Sequence, residues 1–171
     1  MKNPNRRVHH LAQGAIIAAL YVTLSHMQNL LLPGSTSNAI QFRVSEALCI
    51  LAFFTPAAIP GLTLGCLLFN LTSGMALPLD FLLGSLATLA AAWGMWALRK
   101  VKLKDLPIAG LCLPALSNAM IVGGELTFYF GGGFFMNALY VALGELGVLF
   151  TLGIMLYIAL VRTGADRRIF G

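Results

Sequence analysis

Four long apolar stretches, at 11–32, 77–98, 106–129 and 134–161, carry almost no charge. The first contains no Asp, Glu, Lys or Arg, and each of the others contains a single acidic residue. A helix needs roughly 20 apolar residues to cross a bilayer core of about 30 Å, and each stretch meets or approaches that length. Hydrophobic residues make up 58% of the 171-residue chain, which is more than a soluble domain of this size can bury. The sequence therefore predicts an all-α integral membrane protein that crosses the bilayer several times.

Two shorter apolar segments, at about 45–54 and 57–72, are separated by Thr55, Pro56 and Pro60, which interrupt or start helices. With the four long stretches they predict about six transmembrane helices in a single domain, 1–171. The approximate bounds are 8–32, 43–54, 57–72, 77–98, 106–129 and 134–161. The first stretch leaves one side of the bilayer and the 77–98 stretch must return to that side. Both short segments between them must therefore cross the bilayer, or neither can. Four spans with a re-entrant hairpin are therefore the alternative.

All but one of the eleven Lys and Arg residues fall into three groups. One group precedes the first stretch, one lies between the 77–98 and 106–129 stretches, and one follows the last. Their members are Lys2, Arg6 and Arg7; Arg99, Lys100, Lys102 and Lys104; and Arg162, Arg167 and Arg168. By the positive-inside rule we expect all three groups, both termini and the neighbouring Asp105 and Asp166 in the cytoplasm. Arg43 is then left on the outer side.

Ionisable residues inside a membrane segment are costly, which makes them candidates for a functional site. Besides Arg43 they are Glu46, Asp80, Glu125 and Glu145, and the predicted topology puts all of them in the outer half of the membrane or at its outer surface. We expect helix faces that carry these side chains to converge on one outward-opening pocket. Such a pocket suits a small ligand that is cationic or rich in hydrogen-bond donors.

Helical spacing adds polar neighbours to two of these acids. Asn118 lies seven residues before Glu125, so the two share a helix face. Asn137 and Tyr140 lie on the stripe that leads to Glu145. These residues are predicted to contribute amides and an aromatic ring to the same pocket.

A structural role is the alternative for several of these residues, because polar side chains also hold membrane helices together. Arg43 and Glu46, three residues apart, could cap a helix start at the membrane interface. Asp80, just after Pro78, could cap a helix N-terminus. Asn118 and Asn137 could be hydrogen-bond partners between helices.

Small residues recur at four-residue spacing, which indicates close helix packing inside the bundle or against a partner protein. The pairs are Gly14/Ala18 and Ala15/Ala19 on the first helix and Gly61/Gly65 on the third. Gly144 and Gly147 are expected to reduce bulk beside Glu145, and the run of glycines at 131–133 predicts a tight outer loop.

Motifs for catalysis are absent from the sequence. There is no G-x-x-x-x-G-K-[ST] phosphate loop and no H-E-x-x-H, and neither His9, His10 nor His26 is placed to serve a nucleophile within the membrane. The cysteines, Cys49, Cys66 and Cys112, lie in apolar segments without CxxC spacing and are expected to be small buried side chains. We therefore predict no catalytic residue, disulfide, metal or cofactor, and no nucleic-acid partner.

The stretch "IQFRVSEAL", followed by "FFTPAAIPGLTLGCLLFNL", resembles the signature of the QueT family. "DFLLGSLATLAAA" at 80–92, "NAMIVGGELTFYF" at 118–130 and "NALYVALGELGVLFTLG" at 137–153 also resemble that family, in the same order. The similarity covers about residues 8 to 161. Members of this family are S components, the membrane-embedded substrate-binding subunits of energy-coupling factor (ECF) transporters, and are associated with uptake of queuosine precursors.

The resemblance implies a six-helix S-component fold in a bacterial-type plasma membrane, with a pocket that opens outwards beneath the loop that contains Arg43. It implies that a separate coupling membrane protein and two ATPase subunits supply the energy, and that Ala15 and Ala19 dock onto the coupling protein. The implied ligands are queuine or 7-deazaguanines such as the 7-aminomethyl form. An S component for another small vitamin or heterocycle is the alternative within transport, and an intramembrane carboxylate enzyme is the alternative from another class.

Overall fold

The structure is a computed structural model that describes residues 4–35, 41–74, 76–104 and 106–170. Lys2 and Asp105, both expected in the cytoplasm, lie outside these residues. The described chain consists of helices and their connections, without a β-strand. The predicted all-α fold class is therefore confirmed.

Each of the six predicted segments contains a helix. The elements are α1 (Pro4–Leu31), a 3-10 helix (Val44–Phe53), α2 (Ala58–Thr72), α3 (Asp80–Ala97), α4 (Ile108–Phe130), α5 (Phe134–Val148), a π-helical stretch (Leu149–Gly153), α6 (Ile154–Thr163) and α7 (Ala165–Phe170). The predicted helix 134–161 is thus α5 and α6, joined without a break by the π-helical stretch. The short α7 was not predicted.

Helix length distinguishes full membrane crossings from shorter pieces. In the described part of the chain, Arg6–Leu31, Ile108–Phe130 and Phe134–Thr163 are long and apolar enough to cross a membrane. The 15 residues of α2 rise only about 22 Å and the 10-residue 3-10 helix rises about 20 Å, against a bilayer core of about 30 Å. The number of crossings therefore stays a prediction.

The 3-10 helix lies in the middle of the bundle. Consecutive helices from α1 to α5 pack side by side, but α1 does not pack against α5 or α6 within the described chain. The 3-10 helix contacts all of α1 to α6, and every one of its residues except Val44 is buried. Backbone that is not α-helical is tolerated at membrane depth where protein surrounds it, which suits this position.

Small residues bring α1 and α2 close together. A methyl group on Gly61 would lie 2.7 Å from the carbonyl oxygen of Gly14, and one on Gly65 would lie 3.1 Å from that of Ala18. The Gly14/Ala18 and Gly61/Gly65 pairs therefore serve packing inside the bundle. Ala15 and Ala19 lie on an exposed side of α1, about 100° around the helix from Gly14 and Ala18.

Two local expectations have different outcomes. Gly131 and Gly132 adopt positive φ angles of 72° and 78° in the turn between α4 and α5, as the glycine run predicts. Cys49 and Cys66 are buried and unbridged, but Cys112 is exposed. The expectation that Cys112 is buried was wrong because its position on α4 faces away from the bundle.

Candidate functional site

Five charged side chains are buried together in the bundle. We call Arg43, Glu46, Asp80, Glu125 and Glu145 the charged cluster; each is at most 4% exposed. Arg43 precedes the 3-10 helix, Glu46 lies in its first turn, and Asp80 begins α3. Glu125 and Glu145 lie on the buried faces of α4 and α5. Arg43 occupies the N-cap position of the 3-10 helix, but its side chain makes no capping hydrogen bond there.

Arg43 is the cation of the cluster. Its guanidinium is close enough to Asp80 and Glu46 for their charges to attract it, and it also acts on the charges of Glu125 and Glu145. Gly84 on α3 lies beneath it, since a methyl group there would be 3.9 Å from Arg43 Nη1. Arg43 therefore interacts with all four carboxyl groups, and the outward-opening pocket that the sequence predicts around them stays a prediction.

Glu46 is held by protein groups on both oxygens. The Tyr21 hydroxyl on α1 donates to Glu46 Oε1 at 2.5 Å, and Cys49 Sγ donates to Oε2 at 3.0 Å. Tyr21 is fully buried in the middle of α1. The Tyr21 bond joins Glu46 to α1, whereas Cys49 lies in the same 3-10 helix as Glu46 and supports its side chain locally.

Glu145 has one partner and one free oxygen. Asn118 Nδ2 donates to Glu145 Oε1 at 3.1 Å, which joins α4 to α5. Glu145 Oε2 is buried and makes no hydrogen bond within the described chain. Asn118 is thus a partner between helices, as one interpretation of the sequence held, and it also lies at the cluster.

Glu125 and Asp80 leave further acceptors open. No N–H or O–H of the described residues donates to either carboxylate oxygen of Glu125 or to Oδ1 of Asp80, but the two carboxyl groups lie close enough to hydrogen-bond each other when one of them is protonated. The two carboxyl groups are near enough for their charges to repel each other. Asp80 Oδ2 accepts the backbone N–H of Leu77, in the turn before α3, rather than an N–H inside the helix. Asp80 therefore stabilises the helix entry and still offers one oxygen to the cluster.

Such open acceptors are unusual, since most buried polar atoms in proteins find a hydrogen-bond partner. Here four of them come from three helices, and the charge of Arg43 acts on all three of the residues that carry them. Within the described chain, no group of three or more His, Cys, Asp or Glu residues has the arrangement of a metal site. The open carboxylate oxygens can accept hydrogen bonds from a small molecule that carries several N–H donors.

Two predicted site residues are not joined to the cluster by any hydrogen bond in the described chain. Asn137 Nδ2 donates to Thr127 Oγ1 at 2.9 Å and to the carbonyl oxygen of Gly131 at 3.1 Å, which ties the start of α5 to the end of α4. Tyr140 is half-buried on α5, a little over one turn before Glu145. Asn137 thus has the structural role that the sequence left open.

The structure adds polar residues that the sequence did not single out. Tyr21 contacts Glu46, and Asn70 Nδ2 donates to the backbone carbonyl oxygen of Asp80 at 2.9 Å. Gln28 on α1 binds the segment that carries Arg43. Each is an uncharged residue on an apolar helix, and the sequence offers no signal that separates such residues from ordinary polar positions.

The sequence model of the family described as "QueT transporter" matches residues 11–162. A protein described as "Queuosine precursor transporter QueT" from Lactococcus lactis subsp. cremoris (strain MG1363) is 41% identical over 78 residues. That alignment covers 44% of this chain and 42% of the relative, so it spans less than half of either. No solved structure matches the chain. Because the family match extends from α1 to α6, the chain belongs to the QueT transporter family.

Proposed function

We propose that this chain is the substrate-binding membrane subunit, or S component, of an energy-coupling factor importer for queuosine precursors. It would lie in the plasma membrane of a bacterium and would not itself be an enzyme. Membership of the transporter family and the name of the lactococcal relative support the substrate class. The long apolar helices support insertion in a membrane.

The observation that carries the proposal is the set of open carboxylate oxygens in the charged cluster. A 7-deazaguanine presents its N1–H and 2-amino groups side by side, and one carboxylate can accept from both. Glu125, with both oxygens open, has the acceptors for this edge. Glu145 Oε2 and Asp80 Oδ1 remain for an aminomethyl cation, which matches the excess of carboxylates over cations in the cluster.

The remaining ligand groups can be assigned in the same way. The 6-oxo group accepts hydrogen bonds and needs a donor, which Arg43 or Asn118 can supply. Tyr140 could stack on the ring, since aromatic side chains commonly stack on bases. Glu46 would act indirectly, because Tyr21 and Cys49 already bond its oxygens. Asn137 would hold the turn between α4 and α5 rather than touch the ligand.

Equilibrium binding to the purified protein in detergent tests this assignment. Queuine and 7-aminomethyl-7-deazaguanine are expected to bind, and guanine, which lacks the aminomethyl group, is expected to bind far more weakly. Failure of every deazaguanine to bind folded protein would refute the substrate assignment. If guanine binds as tightly as the aminomethyl form, the role given to the ligand's aminomethyl group is refuted.

The proposed partners are a coupling membrane protein and two ATPase subunits. The exposed side of α1, with Ala15 and Ala19, is the proposed docking surface, because small residues allow close helix approach. Ala15→Leu and Ala19→Leu are expected to leave ligand binding by the solitary subunit unchanged and to prevent copurification with the coupling module. Transport at the wild-type rate by both variants would contradict this docking surface.

A second candidate function has one structural observation in its favour. The neighbouring carboxyl groups of Asp80 and Glu125 also fit an acid–base pair in an intramembrane enzyme. Purified chain that converts a bound deazaguanine or another small heterocycle would favour this function. Recovery of the ligand unchanged after prolonged incubation favours the transport subunit.

A further inference from the structure

Arg43 lies in an extended segment, and one side chain of α1 hydrogen-bonds the residues on either side of it in sequence. Gln28, which is buried, donates through Nε2 to the carbonyl oxygen of Phe42 and accepts the N–H of Val44 on Oε1 at 2.7 Å. Its Nε2 also donates to Ser35 Oγ at 2.9 Å. The amide of Gln28 therefore binds the residues immediately before and after Arg43.

These bonds fix the direction of the Arg43 side chain. Arg43 has φ −110° and ψ 102°, and in extended backbone successive side chains point to opposite sides. Phe42 is accordingly 38% exposed whereas Arg43 is 4% exposed. Holding the Phe42 carbonyl and the Val44 N–H on α1 leaves the Arg43 side chain directed into the charged cluster.

The same segment is supported on its other side by α5. A methyl group on Gly144 would overlap the carbonyl oxygen of Gln41 and lie 2.9 Å from its carbonyl carbon. Only glycine at position 144 lets the backbone of the segment pass this close to α5. Because α1 and α5 do not pack against each other, residues 41–44 connect them here.

We infer that Gln28 and Gly144 are positioning residues that hold residues 41–44 between α1 and α5 and thereby place the Arg43 guanidinium for ligand recognition. This inference rests on the proposed function of the charged cluster. Neither residue touches the ligand. Gln28 fixes the backbone on both sides of Arg43, and Gly144 provides the space in which that backbone lies.

Two substitutions test the positioning, with a matched control on α5. Gln28→Ala removes three hydrogen bonds, and Gly144→Ala displaces Gln41; each is expected to weaken binding of 7-aminomethyl-7-deazaguanine by about tenfold or more. Gly147→Ala, one turn further along, is the control, since a methyl group there meets nothing within 4 Å. Equal affinities of Gly144→Ala and Gly147→Ala would overturn the role of Gly144.

A double-mutant cycle separates positioning of Arg43 from a general effect on folding. Gln28→Ala is expected to weaken binding in the wild-type background and to cause little further loss in an Arg43→Gln background, because its effect passes through that guanidinium. Independent, additive losses would overturn the inference.

Hydrogen exchange gives a readout that needs no ligand. The Val44 amide is expected to exchange faster in Gln28→Ala than in wild-type protein, and segment 41–44 is expected to exchange faster in Gly144→Ala than in Gly147→Ala. Unchanged exchange in both would overturn the positioning role. If the wild-type protein binds no deazaguanine but both variants show this faster exchange, the positioning role is supported and only the proposed function is refuted.

Discussion

Replacing Glu145 with Gln should lower ligand affinity without lowering the stability of the unliganded protein. In the wild-type protein Oε1 accepts from Asn118, while Oε2 is buried and open. If the new amide keeps its oxygen towards Asn118, its NH₂ group replaces Oε2 and faces the donors of the ligand. The substitution removes an acceptor and opposes one donor with another.

The magnitude follows from the cost of a mismatched buried polar group. That cost is about 1–3 kcal/mol, which corresponds to roughly 5- to 150-fold weaker binding at 25 °C. The unliganded variant is expected to be at least as stable as wild type, since a neutral amide costs less to bury than a carboxylate and no longer repels Glu46. If Glu145 only joined the two helices, the substitution would lower the stability and leave ligand affinity unchanged.

Isothermal titration with 7-aminomethyl-7-deazaguanine gives the affinity, and thermal unfolding in the same detergent without ligand gives the stability. Thr151→Ala is a suitable control because it lies on the same continuous helix, is exposed, and bonds its own helix through the Gly147 carbonyl. Wild-type affinity in Glu145→Gln, or a variant that loses stability but binds normally, would refute the ligand role of Glu145.

Two further predictions concern the scaffold around the site. Gly61→Ala should lower the unfolding temperature, because the new methyl group would press on Gly14 at a cost of about 1–3 kcal/mol. Gly74→Ala is the control, since a methyl group there meets nothing within 4 Å and should change the unfolding temperature little. Equal effects of the two substitutions would contradict the tight α1–α2 contact. Tyr21→Phe should also destabilise the protein, by about 1–3 kcal/mol, because Glu46 Oε1 loses its hydrogen-bond donor. An unchanged unfolding temperature would show that this hydrogen bond contributes nothing to stability.

Segments and charged candidates could be predicted because their signals are local. A run of about 20 apolar residues favours a membrane-spanning helix, and a carboxylate within such a run is easily recognised. Glu125 and Glu145 were identified on this basis, and Arg43 as the basic residue outside the three cytoplasmic groups; charge interactions link all three in the structure. Whether they bind a substrate stays a proposal.

The rotation of each helix about its axis could not be predicted. Gly14 and Ala15 are neighbours in sequence, yet a step of about 100° along the helix turns Gly14 towards α2 and leaves Ala15 exposed. Asn118 and Asn137 looked equivalent in sequence, but only Asn118 hydrogen-bonds a member of the charged cluster. Spacing states which residues share a face, and packing decides what that face meets.

Hydropathy and charge are properties of the residues themselves, so the helical segments, the membrane character and the set of charged residues near or within apolar segments could be predicted without the structure. Packing of the bundle made segment 44–53 a 3-10 helix at its centre and matched Gln28 and Gly144 to the backbone beside Arg43. Those features depend on contacts between residues up to about a hundred positions apart, and no local pattern encodes such contacts.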